Sequence, residues 1–140
     1  MNKIILLSGI GIISGIIFGY VFKLIQSITG EMVYTLLLNV DYFPVIHTWN
    51  WNELTEFALH VCISIILVIL LYYSLKHYNL HQKPSIYICI NIIVGMLLWG
   101  TTVFSNRTPE LMDGTAFSYW LIGHMLYGNI VGLSIKLVKD

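Results

Sequence analysis

Charge is what this sequence has least of. Among 140 residues, seven are Lys or Arg and seven are Asp or Glu, so charged residues make up 10% of the chain and cancel at pH 7. Soluble domains carry about 25% charged residues, and fourteen charges cannot cover a water-facing surface for a chain of this size. A soluble globular fold is therefore excluded. The even balance of sign also removes nucleic-acid binding through a basic surface. Catalytic signatures are missing too: there is no phosphate-cradling glycine loop, no dinucleotide fingerprint, no C-x-x-C and no G-x-S-x-G. The hydrophilic segments are too short to hold an independent catalytic domain, so any chemistry belongs to the apolar part or its mouth.

Apolar residues, at 57%, are what the chain has in excess. Four uncharged or nearly uncharged stretches stand out, over residues 4–22, 57–75, 86–105 and 116–138, the last interrupted only by Lys136. Each is about the length a helix needs to cross roughly 30 Å of hydrocarbon at about 1.5 Å per residue. A membrane barrel requires short alternating segments and more strands than this chain provides. The sequence predicts an all-α integral membrane protein: one domain, residues 1–140, folded as a four-transmembrane-helix bundle. Residues 31–43 contain the apolar run Met32–Val40, too short to span, which reads as a short interfacial or re-entrant helix in the first outer loop.

Orientation follows from the basic residues. With the N-terminus inside, Lys3, Lys76, Lys83, Lys136 and Lys139 fall on the cytoplasmic side, and only Lys23 and Arg107 fall outside. Both termini are then cytoplasmic, in the plasma membrane. Of the acids, only Asp140 is inside. Tyr42, Phe43, Trp49 and Trp51 lie where an interfacial aromatic belt belongs, just before the second stretch. The first stretch is longer than a signal-peptide core and lacks an A-x-A site, which favours an uncleaved anchor. Asn106-Arg107-Thr108 matches a glycosylation acceptor on the outer side. Cys62 and Cys89 differ in depth by roughly 10–15 Å, counted along antiparallel helices, too far for a disulfide; they read as small apolar core residues.

Gly11, Gly15 and Gly19 repeat every fourth residue and share one helix face, with Ser8 extending it. Such a stripe is a groove into which another helix fits closely. Gly128 and Gly132 make a second stripe on the last stretch. A partner within the bundle is favoured over a second copy of the chain, and the expectation is that the first and last helices meet groove to groove. Asn91 and Asn129 are predicted at similar depth, where an amide pair would fix register.

Two histidines lie inside the apolar stretches, His60 and His124. Ionisable groups at membrane depth face the bundle interior or a water-filled pocket. Glu56 is one turn before His60 and Tyr127 is three residues after His124, so Glu56, His60, His124 and Tyr127 are candidates for one polar site open to the outside. Such a site suits a proton relay, a metal ion or bis-His haem, set against plain packing by hydrogen-bonded imidazoles. No H-x-x-x-H or E-x-x-H pair within the spans raises the metal reading. His77 and His81, four apart in the short inner loop, form a weak metal pair or a basic surface against lipid headgroups. His47 stands in the outer loop beside Trp49 and Trp51.

The last stretch reads His124-x-x-Tyr127-Gly128-x-x-x-Gly132. This resembles the closing helix of small four-span bacterial membrane proteins of the YagU and YqhR type. The outline is also similar: a glycine-rich first span, an aromatic outer segment, Tyr72-Tyr73 ending the second span, and Gly95, Trp99 and Gly100 in the third. The resemblance implies a bacterial plasma-membrane location, makes His124, Tyr127, Gly128 and Gly132 the first positions to test, and names no substrate.

The leading expectation is a non-enzymatic accessory or interaction subunit whose partners are the bilayer and, through the glycine grooves, a membrane protein or a second copy. The alternative is an outer-half ligand, metal, haem or proton-relay site on His60 and His124. A third reading, an enzyme acting on lipid at the outer interface, requires Asp41, His47, Glu53 and Glu56 to converge.

Overall fold

The computed structural model describes residues 2–45 and 48–138, and among these it is helical, with no strand. Five α-helices follow in order: α1 (Lys3–Thr29), α2 (Val33–Leu38), α3 (Glu53–His77), α4 (Pro84–Trp99) and α5 (Gly114–Leu137). A 3₁₀ turn at Gly100–Phe104 prolongs α4. Helices α1, α3 and the continuous segment Pro84–Phe104 are long and apolar enough to cross a membrane. With 24 residues, α5 matches them in length but is not among the helices apolar enough to cross.

Local chemistry sets the ends. Asn2 and Asp113 accept backbone N–H groups at the starts of α1 and α5, and Asn52 and Thr55 cap α3 reciprocally. Pro84 opens α4, where no backbone donor is needed. Gly30, at φ 81°, closes α1 in the left-handed conformation that glycine adopts without strain.

Contacts around the glycines give the packing order. A methyl group on Gly11 would lie 2.6 Å from Ile65 Cα, one on Gly15 2.8 Å from Ser64 Cβ, and one on Gly19 2.4 Å from Phe57 Cε2. The α1 groove is therefore filled by α3, running antiparallel. Gly128 faces Tyr87 and Ile88, and Gly132 faces Pro84, so the α5 groove is filled by α4, also antiparallel. The expected groove-to-groove meeting of first and last helices does not occur. Instead α1 meets α5 through rings: Phe22 stacks on Trp120 at 5.3 Å and fills the space over Gly123. The resulting row is α3–α1–α5–α4, and α3 and α4 do not pack along each other.

Helix α2 folds back over one end of the long helices, beside Gln26 of α1 and Glu53 of α3, burying Val33, Tyr34, Leu36 and Leu38. The 31–43 segment contains a helix too short to span a membrane, and it packs against protein. The outward faces of the long helices carry exposed Ile5, Ile13, Leu24, Ile66, Leu70, Ile93 and Leu97, a surface compatible with lipid contact. Cys62 and Cys89 belong to that exposed surface rather than the core, and both are free. His77 ends α3 and is exposed, whereas His81 lies beyond the helix and is buried beside Tyr72. The helix break separates their faces, so they form no metal pair. Thr108 of the glycosylation motif is buried and bonded to the carbonyls of Thr102 and Ser105.

Candidate functional site

Because α3 and α4 stand apart, a cleft of about 250 Å³ remains between them. Its back wall is Phe18 of α1 with Trp120, His124 and Tyr127 of α5; its sides are His60 and Ser64 of α3 and Asn91 of α4. Leu36, Leu37 and Tyr42 line its end beneath α2. The mouth between the two helices is apolar, formed by Ile63, Leu67, Val94 and Leu98, with Ile63 45% exposed. The volume exceeds the roughly 150 Å³ of an apolar cavity that admits benzene.

Hydrogen bonds fix the chemistry of the polar wall. His60 Nε2 lies 3.1 Å from the Gly15 carbonyl, and His124 Nδ1 lies 2.9 Å from the Trp120 carbonyl. A carbonyl oxygen only accepts, so each of these nitrogens carries the proton, and in the neutral ring the other nitrogen is an acceptor. Ser64 Oγ donates to the Gly11 carbonyl at 2.7 Å. Its single proton is then committed, and Tyr127 must donate across the 2.7 Å contact to Ser64. Asn91 Nδ2 donates to the Tyr87 carbonyl at 2.8 Å, which fixes the amide orientation. Asn91 Oδ1 is buried with no partner, in a residue 1% exposed. The protons of His60, His124, Ser64 and Tyr127 are spent on protein, Asn91 keeps a second N–H, and Asn91 Oδ1 remains an open acceptor.

His60, His124 and Tyr127 lie around one ring, Phe18, whose centroid is 5.8, 5.1 and 5.0 Å from theirs. Glu56 is not part of this set. Its carboxylate is drawn outward by Arg107, 3.3 Å away. Asn91 faces Gly128 and bonds within its own helix, so the Asn91–Asn129 amide pair does not form; Asn129 is half-buried. No group of three or more His, Cys, Asp or Glu side chains able to hold a metal ion occurs among the described residues. The Phe18 ring lies against both imidazoles, in the space a haem bound between them would need.

Sequence reasoning passed over Ser64, Trp120 and Gly95 as site residues. Ser64 is one turn from His60 and Trp120 one turn from His124, so the spacing that groups helix neighbours points to both. Gly95 makes room for the imidazole: a methyl there would lie 2.7 Å from His124 Cγ. Its carbonyl accepts from Trp120 Nε1 at 2.7 Å.

Outside the cleft, Arg107 reaches Asp41 at 3.3 Å, Asn39 at 3.2 Å and Glu56 at 3.3 Å, and Ser105 donates to Asp41. Partial burial disfavours the guanidinium cation, but the Asp41 and Glu56 carboxylates outweigh it and leave its pKa raised. Glu53 is held by Lys23 and by Tyr34. Asp41, Glu53 and Glu56 are therefore split between two cations rather than converging on a substrate. His47 lies outside the described residues.

No protein family, curated protein or solved structure matches the chain.

Proposed function

We propose that this is a four-span plasma-membrane protein, both termini cytoplasmic, that binds one small apolar molecule taken sideways from the bilayer into the α3–α4 cleft. The observation that carries this reading is the cleft itself: apolar at its lipid-facing mouth, polar at its back, and covered on the outer side by α2. Small-molecule sites share that build, apolar walls with a few placed polar groups. The glycine grooves, which would have argued for an interaction subunit, are occupied by the chain's own helices. A fourth span is supported by the length of α5 and by its antiparallel register on both α4 and α1. The shortfall in its hydropathy comes from residues such as His124 and its glycines, which face the bundle. The excess of Lys on one side supports the orientation.

Propylbenzene added to the purified protein in nanodiscs tests the binding role. At 100 times its dissociation constant a ligand stabilises the folded state by about 2.7 kcal/mol, so the thermal midpoint should rise. The half-exposed mouth residue Ile63 replaced by Trp should fold and lose the response. A response of the same size in both proteins, or none in either, overturns the reading.

A further inference from the structure

The cleft's polar wall leaves one buried acceptor open, and that restricts what it can hold. Asn91 Oδ1 is buried and unpartnered, a condition that carries a desolvation penalty until a donor arrives. The imidazoles of His60 and His124 have their N–H groups bound to the carbonyls of Gly15 and Trp120. Tyr127 and Ser64 spend their protons in a relay that ends on the Gly11 carbonyl. An occupant that only accepts leaves Asn91 Oδ1 unpaired, and an anion also brings charge that no lysine or arginine of the lining offsets. An occupant bearing an O–H satisfies Asn91 Oδ1.

We infer that the ligand of the α3–α4 cleft is an uncharged apolar molecule with a hydroxyl head whose single proton is donated to Asn91 Oδ1. This rests on the binding reading above and narrows it to one chemical class, the hydroxyl of a ring or of an alkyl chain. The alkyl or ring body lies toward Ile63, Leu67, Val94 and Leu98 at the mouth, where lipid chains begin. A fatty carboxylate or headgroup phosphate is disfavoured, because no lysine or arginine lines the cleft to offset burial of its charge.

The test uses 4-propylphenol and its methyl ether, 4-propylanisole, which share a body and differ in the donor. Both are titrated into the full chain in nanodiscs, with partition into protein-free nanodiscs subtracted, and followed by ¹⁵N resonances of the histidine rings. The phenol should bind at least tenfold more tightly than the ether and shift the histidine ring resonances. In Asn91→Leu, of similar volume, the preference should fall below threefold. Octan-1-ol in place of the phenol separates the two sources: tighter phenol binding assigns a ring hydroxyl, tighter octanol binding an aliphatic one. Equal affinity of phenol and ether in the unaltered protein, or octanoate binding as well as octanol, overturns the donor rule while the cleft reading stands. If propylbenzene, phenol and ether all fail to bind, the cleft reading itself fails. The phenol–ether comparison requires no substitution, so it decides the matter even if Asn91→Leu does not fold.

Discussion

At the scale of single residues, glycine divides into positions where a side chain is forbidden and positions where it is merely absent. Gly11 and Gly128 face backbone atoms of the neighbouring helix, Ile65 Cα at 2.6 Å and the Tyr87 carbonyl at 2.7 Å from a methyl group, which cannot rotate aside. Gly9 has nothing within 4 Å. Gly11→Ala and Gly128→Ala should each lower stability by about 1–3 kcal/mol, the usual range for overpacking, whereas Gly9→Ala should be neutral or slightly stabilising because alanine is the better helix former. Thermal unfolding of the three variants in one detergent checks the ranking, and equal effects at all three would contradict the packing described. The sequence showed these stripes but not what fills them, because spacing of four states that a helix approaches closely without stating which one. His124 and Tyr127 were legible for the opposite reason: a titratable ring in an uncharged run stands out by itself. Ser64 and Asn91 were harder to place in the site, since small polar residues also serve simple packing, and only the cleft between α3 and α4 distinguishes the two uses.

At the scale of elements, the short helix α2 is the part whose position the sequence left most open. The largely apolar nine-residue run between Glu31 and Asp41, broken by Thr35 and Asn39, is too short to span, and composition alone does not separate lying on lipid from folding into protein. Two polar anchors fix its place. Tyr34 donates to Glu53, and burial together with that bond pushes the phenol well above its ordinary pKa. Beyond the helix, Arg107 ties Asn39 and Asp41 to Glu56 of α3. Exposed ion pairs contribute roughly 0–1 kcal/mol each, and Arg107 is half exposed, so the global effect of removing it is small. The local effect is larger, because Glu56, with a side chain 12% exposed, loses its charge partner beside Asp41. Arg107→Gln should lower overall stability by about 1 kcal/mol yet speed amide hydrogen exchange across residues 33–41 by an order of magnitude relative to α1. High salt should reproduce part of that change in the unaltered chain through screening. Unchanged exchange in the variant would mean that the apolar seat of Val33, Leu36 and Leu38 alone holds α2 down.

At the scale of the whole molecule, the row α3–α1–α5–α4 makes α5 an inner helix, in contact with α1 on one side and α4 on the other. An inner helix has less lipid-facing surface to clothe in Ile and Leu, and it is where a bundle places the polar groups of a site. Helix α1 is inner too and stays strongly apolar, so the lower hydropathy of α5 comes from its own residues, His124, Asn129 and its tyrosines, tryptophan and glycines. Its antiparallel register runs the full height of α4, from Gly95 against His124 to Pro84 against Gly132. If α4 crosses the bilayer, α5 beside it returns to the starting side, because stopping part-way would leave helix ends in hydrocarbon. A fluorescent protein fused after residue 138 should therefore fold and fluoresce in the cytoplasm, and alkaline phosphatase at the same place should be inactive. The same reporters inserted after Glu110, between α4 and α5, should give the reverse pattern. Active phosphatase at the C-terminal fusion would leave three spans, with α5 outside, and would remove the back wall of the cleft from the membrane altogether. Both the lateral route to the cleft and the hydroxyl ligand inferred for it require the four-span outcome.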